Sequence, residues 1–259
     1  MSSTTVLKFH KSIKTVATTF NSFKPCSPDC DCNEDDGCPR VYDRIECPKN
    51  CKDCENQPFR DTTKHAKVSV KDCGKRGRGL FAAQFIKADS FVIPFIAEVI
   101  SKDEEKLRRV KYAKNKQDHY FFGSGMYTND ATDYGNEAKF ANHSCDPNMI
   151  ALTWSLNGTP SNYKALGFVA ARDIQKGEEL TINYGDDYSE DMECQCGSTN
   201  CAGIVGQKTK VIKKRKLAPT PPSPLKSTVT YEPRPKRTIK PRALFADEYE
   251  AIYLNSKSL

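Results

Sequence analysis

The sequence predicts a mainly β fold with short helices, flanked by cysteine-rich zinc modules. Three observations predict it. Short runs rich in β-branched and aromatic residues recur from residue 66 to residue 184. One stretch between them has the pattern of a capped helix. Ten of the twelve cysteines fall into two clusters, at 26–54 and 194–201, and such clustering points to metal.

In chain order, residues 1–24 are polar and rich in Ser, Thr and Lys, and no fold is expected there. Residues 25–60 hold seven cysteines and too few apolar side chains for a core, so a metal must supply their folding energy. From about residue 66 the texture changes. VSV, GLFAAQFI and FVIPFIAEVI are β-rich runs broken by Gly and Lys-Ala-Asp. SKDEEKLRRVKYAKNK reads as a helix, with Ser101 and Glu104 at capping-box spacing and acids ahead of bases. HYFFGSGMYTND reads as two short strands around a glycine turn. MIALTWSL and ALGFVAARDI flank Asn157-Gly158 and pair as a hairpin with a loop longer than two residues, and ELTINY is a further strand. The expected units are thus 1–24, 25–60, 66–188, 190–206 and a tail at 207–259.

Charge sets the tail apart. The chain carries +7 in all, and residues 207–259, with 13 Lys/Arg and 4 Asp/Glu, carry +9, which leaves −2 for the rest. KKRK, APTPPSP and RPKRTIKPR are basic or Pro-rich, which favours extended, unpacked chain. LFADEYEAIYL at 244–254 could form a short amphipathic helix. A basic tail suits an acidic polymer or a nuclear import receptor. No run of 18 apolar residues is present and the N-terminus lacks an apolar signal region, so neither a membrane span nor a secretory leader is expected.

Without an oxidising compartment the cysteines are metal ligands rather than disulfides. Cys26, Cys30, Cys32, Cys38, Cys47, Cys51 and Cys54 can satisfy two zinc ions if one thiolate bridges them, each zinc taking four sulfurs at roughly 2.3 Å. Cys194, Cys196 and Cys201 supply three ligands for another zinc. Its fourth ligand is Cys73 or Cys145, and spacing alone does not choose. A saturated thiolate site has no open position, so these zincs are structural.

Three further motifs are ambiguous singly. Gly74-Lys-Arg-Gly77-Arg-Gly79-Leu80 suits a close approach of backbone to a ligand, or a plain turn. In Lys139-Phe140-Ala141-Asn142-His143-Ser144-Cys145-Asp146-Pro147-Asn148, His143 has three readings: metal ligand, general base or structural histidine. Tyr184, closing ELTINY, is by default a packing residue.

Their order is what carries information. GxGL, HYFF, NHSCDPN, ELTINY and CxCx4C, in that sequence over roughly residues 66–206, resemble the SET-domain methyltransferases. The upstream RIECPKNCKDCENQPF resembles the AWS module, which precedes SET in enzymes acting on lysine 36 of histone H3. The resemblance implies small curved sheets around a threaded, knot-like segment, in which NHSC passes through a loop closed near ELTINY. It implies S-adenosylmethionine as cofactor, held by Arg76, Gly77, Arg78, Gly79, Tyr120, Asn142 and His143, and Tyr184 as the catalytic residue. It places Phe121 and Ile182 along the substrate-lysine channel. It makes Cys145 the fourth ligand beside Cys194, Cys196 and Cys201, bringing the zinc count to about three, and it leaves Cys73 a free thiol.

The chain departs from the family pattern at several positions. Lys139 replaces the Arg of RFxNHSC, Phe121 stands where relatives often carry Tyr, and Ile182 stands where Phe or Tyr is usual. Cys26 lies upstream, whereas the usual AWS pattern has an extra cysteine between those matching Cys38 and Cys47. The expected function is a nuclear, chromatin-bound histone-lysine N-methyltransferase acting on a histone tail or nucleosome, most specifically on H3 lysine 36, with DNA contacts through the basic tail. The alternatives are a different histone or non-histone lysine, and a catalytically weak chromatin-binding SET module.

Overall fold

The structure is a computed structural model, and it describes residues 7–11, 13, 19, 21–24, 39–51, 54, 56–185 and 192–205. Expectations for the tail, and for Cys26, Cys30, Cys32 and Cys38, lie outside the described residues.

Among the described residues eleven strands make three small sheets. In the first, β1 (Lys8–Phe9) runs parallel to β5 (Ala97–Ser101), which pairs antiparallel with β7 (Tyr127–Gly135), itself paired with β6 (Phe121–Ser124). In the second, β10 (Ala165–Ala170) lies between β4 (Phe91–Pro94) and β9 (Met149–Trp154), all antiparallel. In the third, β2 (Val68–Asp72) and β3 (Arg78–Ala82) form a hairpin, β11 (Glu179–Ile182) pairs with β3, and β8 (Asn142–His143) runs parallel to β11.

The apolar runs explain these choices. β5 and β10 are buried at every residue, as befits strands covered on both faces. Gly167 in β10 is required by packing, because a Cβ there would lie 2.6 Å from the Phe91 ring and 3.1 Å from Trp154. Trp154 meets Phe59 and Phe91 edge-on and those two rings are tilted to each other, with centroids 5.4–5.5 Å apart. FVIPFIAEVI is divided between two sheets: β4 ends at Pro94, and β5 begins three residues later.

A single helical turn, α1 (Pro39–Tyr42), precedes the cysteines at 47–54. The long helix α2 (Lys102–Lys114) starts where the capping pattern places it. The Ser101 hydroxyl accepts from the Glu104 amide at 3.3 Å, and Asp103, Glu104 and Glu105 fill the first turn. Pairs four residues apart, Glu104–Arg108 and Glu105–Arg109, brace its side, and Tyr112 anchors it in the interior.

The N-terminal segment departs from expectation. Leu7 and Ile13 are buried, β1 completes the first sheet, and the Asn21 side chain donates to Leu156 O and Thr159 Oγ1. Composition misses a strand of two residues whose partners lie some ninety positions along the chain. Docking onto an existing edge needs backbone groups more than an apolar run.

The first cysteine module is stitched to the end of β9. Ile45 bridges Ser155, and the Glu46 amide donates to Ser155 O at 3.0 Å. Glu46 is fully buried, its Oε1 accepting from the amides of Phe59 and Arg60 and its Oε2 2.8 Å from the Arg60 guanidinium. Burial holds this carboxyl above its ordinary pKa despite Arg60.

Candidate active site

Four segments converge at one end of the third sheet. The first is the glycine loop, a 3₁₀ turn over Gly74–Arg76 closed by Cys73 N–H donating to Gly77 O at 2.6 Å. Gly77, at φ +70° and ψ −135°, is in a conformation that side chains disfavour, and it turns the chain into β3. Gly79 is needed for a different reason: a Cβ there would meet Cys73 Sγ at 2.5 Å and Glu179 Oε1 at 3.0 Å.

Glu179, at the start of β11, ties the segments together. Its carboxylate takes both Arg76 terminal nitrogens at 2.9 Å, and Asn142 Nδ2 donates to its Oε1 at 2.9 Å. Burial pushes this carboxyl up, but Arg76 and Asn142 outweigh burial and hold it below the usual range. Arg78 lies over the Phe140 ring at 4.1 Å with its other face exposed. Lys139, replacing the family arginine, donates to Ala131 O (2.9 Å) and Thr132 O (3.2 Å) and lies over the Tyr120 and Phe140 rings. Burial and the nearby Arg78 lower its pKa.

The polar NHS stretch reaches this end as β8, and Ser144 N–H donates to Ile182 O at 2.9 Å. His143 is buried, which lowers its pKa and favours the neutral ring. Its Nδ1 accepts from the Tyr184 amide at 3.2 Å, so the ring proton belongs on Nε2, 3.5 Å from Cys145 Sγ. Neither contact is that of a general base. Tyr184 packs against His143 with ring centroids 5.5 Å apart, and its hydroxyl donates to Ala141 O at 3.1 Å. Ile182 is buried in the core cluster against which Tyr120, Phe122 and Tyr184 pack.

Phe121, expected along the substrate-lysine channel, is not among the residues packed on that cluster. Its ring faces α2, 5.9 Å from Tyr112 and 4.7 Å beneath the Arg109 guanidinium, with His119 at 5.1 Å. Side chains alternate across a strand, so Tyr120 and Phe122 share one side and Phe121 takes the other. Glu179 and the Ala141 carbonyl were missed. Glu179 heads ELTINY, but the motif does not say what its carboxylate pairs with, and a backbone oxygen leaves no mark in a sequence.

Cys145, Cys194, Cys196 and Cys201 present sulfurs that all lie within 4.8 Å of one another, a donor set that fits one tetrahedral zinc. Amides of Ala202 and Gly203 donate to Cys145 and Cys201 sulfurs at 3.4 Å. Burial opposes ionisation at Cys196, but the Ser198 hydroxyl and nearby amides bring its pKa down to about 6. Cys73 is excluded from this set, its thiol pointing at Glu179 Oε1 (3.7 Å). Cys47, Cys51 and Cys54 also bring three sulfurs within 4.8 Å, and the remaining members expected of that cluster lie outside the described residues.

The surroundings of Asn142 suit S-adenosylmethionine. Exposed Arg78 is complementary to its carboxylate, half-buried Arg76 being held by Glu179, and the turn 74–77 leaves backbone open, with free space where a Cβ would stand at Gly74 and Gly77. Among the described residues no helix is long and apolar enough to cross a membrane.

Comparison with known proteins gives the family of the chain. Residues 77–185 match the SET domain family. The chain is 38% identical over 194 residues to the "Histone-lysine N-methyltransferase, H3 lysine-36 specific" of Chaetomium globosum, covering 72% of this chain and 21% of that protein. It is 36% identical over 194 residues to the protein of the same description in Yarrowia lipolytica, covering 73% and 24%. It is 36% identical over 192 residues to "Histone-lysine N-methyltransferase ASHR3" of Arabidopsis thaliana, covering 71% and 36%. The chain thus spans about a fifth to a third of the length of these relatives.

Proposed function

Because this chain carries a SET domain over residues 77–185, we propose that it is a histone-lysine N-methyltransferase that uses S-adenosylmethionine and acts on lysine 36 of histone H3 in nuclear chromatin. The observation that carries the reading is the convergence of the Tyr184 hydroxyl, the Asn142–His143 strand and the glycine loop at the end of one sheet. The specificity for lysine 36 is supported by the two fungal relatives, which are named as H3 lysine-36 specific.

The cofactor supplies an electrophilic methyl on a sulfonium, open to in-line attack by a neutral amine. The chain's own residues do the rest. A free lysine amine has a pKa of about 10.4 and is mostly protonated at neutral pH. Tyr120, Phe122 and Ile182 give it an apolar wall that disfavours the ammonium. Tyr184 commits its hydroxyl proton to Ala141 O, so its oxygen lone pairs are what it offers to the amine and to methyl C–H groups. Holding these in line is an entropic contribution to rate. His143 fixes the Tyr184 backbone through Nδ1 and faces the Cys145 zinc ligand through Nε2. The zincs hold the flanking modules and take no part in transfer. Arg76, Gly77, Arg78, Gly79, Tyr120, Asn142 and His143 hold the cofactor, and the basic tail at 207–259 adds DNA contacts.

Mass spectrometry of recombinant nucleosomes after incubation with enzyme and cofactor tests the proposal. Methyl groups on H3 lysine 36 are expected. Modification confined to another lysine would transfer the activity to that residue, and no modification of any lysine would leave a chromatin-binding module.

A further inference from the structure

Strand β7 carries three polar residues in its buried half, Thr128, Asn129 and Asp130. Buried polar groups need partners, and alternation along the strand sends these to two sides. Thr128 and Asp130 turn to α2, where they meet Lys102 and Arg108. Asn129 turns the other way, fully buried, onto the face it shares with its cross-strand partner Phe122. Its Nδ2 donates to Phe122 O at 3.3 Å, and its Oδ1 accepts from the Tyr163 hydroxyl at 2.7 Å. A peptide carbonyl can only accept, so the amide has one orientation and the phenol must donate. Burial holds that phenol above its ordinary pKa, so its proton stays in place.

The pair links two apolar clusters of the interior. Tyr163 belongs to one of them, edge-on to Phe9 at 5.7 Å and to Tyr127 at 5.8 Å. Phe122 packs against the other, which holds Ile182 and carries Tyr184, and its ring lies 5.6 Å from Phe95. β6 is the edge strand of its sheet, with β7 as its one neighbour there, so a side-chain hydrogen bond to its backbone bears on where Phe122 stands.

We propose that Asn129 and Tyr163 are positioning residues of the substrate-lysine channel: their buried hydrogen-bonded pair fixes the strand that carries Phe122 and so limits how bulky an amine the channel accepts. The inference rests on the methyltransferase reading above, which makes Phe122 part of the apolar wall. An unmethylated amine needs no movement of that wall. A methylated one presses on it, and a wall released from Asn129 yields more readily.

The test compares rates on recombinant nucleosomes whose target lysine, identified by the mass spectrometry above, is unmethylated or already monomethylated. The full chain is used as wild type, Tyr163→Phe, Asn129→Leu/Tyr163→Phe and Tyr127→Phe. Tyr163→Phe leaves Asn129 Oδ1 buried without its donor and should lower the melting temperature. The double variant replaces both partners by apolar groups, which spares the interior an unpaired amide and should recover much of that loss. In both, the ratio of the monomethyl rate to the unmethylated rate should rise about threefold or more, within the worth of one neutral hydrogen bond. Tyr127→Phe also removes a hydroxyl from the second cluster, one that donates to Asn162 and not toward Phe122, and should leave the ratio unchanged. Loss of folded enzyme scales both rates alike. A ratio that stays constant or falls while the melting temperature moves would therefore make the pair purely structural and overturn the proposal. An equal rise in Tyr127→Phe would do the same, since general loosening would then explain it. If the wild type modified no nucleosomal lysine, the methyltransferase reading itself would fall, and this inference with it.

Discussion

The Tyr184 hydroxyl donates to the carbonyl of Ala141 at 3.1 Å, joining the end of the ELTI strand to the residue just before the Asn142–His143 strand. One hydrogen bond therefore sets both where the phenol oxygen points and how far apart the two segments stand.

Replacing Tyr184 by Phe should lower kcat on a histone peptide by about a hundredfold or more, the cost of losing alignment at a reacting centre. The ring and its contact with His143 remain, so the melting temperature and S-adenosylhomocysteine affinity should barely move. Near wild-type turnover would refute the assigned role.

Protein purified without added zinc should contain about three zinc ions per chain by metal analysis, the capacity of seven plus four clustered thiolates. One zinc or fewer would dispose of the two-cluster arrangement. Cys47 is fully buried and accepts from Asn56 Nδ2 at 3.5 Å. Cys47→Ser should unfold the first module, because metal binding there is folding free energy. Chelation of the wild type should do the same.

Ile182 should permit more than one methylation. By the family resemblance a Tyr at this position holds a water that occupies the space of a methylated amine. Ile182 has no hydroxyl and is buried beside Tyr184 and Phe122. A poorly held water yields readily to an apolar methyl. Dimethyl-lysine should accumulate at long reaction times, and Ile182→Tyr should shift products toward monomethyl. Monomethyl-lysine alone, with cofactor in excess, would defeat this. Phe121 gives no support here, since it faces α2.

The Arg76–Glu179 pair should appear in the acid limb of stability. Arg76 and Asn142 hold the Glu179 carboxyl below its ordinary value of 4.5. A carboxyl whose folded pKa is depressed contributes stability that is full above 4.5 and is lost as pH falls through the lower, folded value. Arg76→Met removes the larger part of that depression. Melting curves at pH 6 and at pH 3.5 should show the variant losing less on acidification than the wild type does. Equal losses would show the pair to be electrostatically idle.

Deleting residues 207–259 should flatten the salt dependence of nucleosome binding and leave activity on a short histone peptide nearly unchanged. Each phosphate neutralised on duplex DNA contributes roughly −0.9 to the log–log slope. An unaltered slope in filter binding or fluorescence titrations would place nucleosome contact on the folded part.

The strands and the long helix were legible because local patterning and tertiary packing agree there. Ser101 caps α2 as its spacing requires, and the runs at 149–154 and 165–170 pair across a long loop. The choice of Cys145 over Cys73 came only from family resemblance. Both are single cysteines remote from the cluster, and proximity across about fifty residues has no local signature. The packing of Phe121 against α2 was not legible, because a motif match reports which residues are present and not the face each one takes. The pairing of Glu179 was invisible for a related reason: its partners, Arg76 and Asn142, come from a turn and a strand far away in the chain. The described residues before 25 escaped because their burial includes few apolar side chains, Leu7 and Ile13, in a polar stretch of sequence.

Lys8 and Phe9 lie along Glu98 and Val99 at the outer margin of the first sheet. A shortened protein beginning at the cysteine module would strip that margin and leave Ala97–Ser101, buried at every position, with bare amides and carbonyls along one side. Such a border accepts any strand offered to it, including the same border of a second molecule. Shortened forms should therefore self-associate and come out of solution as concentration rises, even with every catalytic group in place. The modest leading segment acts as a seal against aggregation.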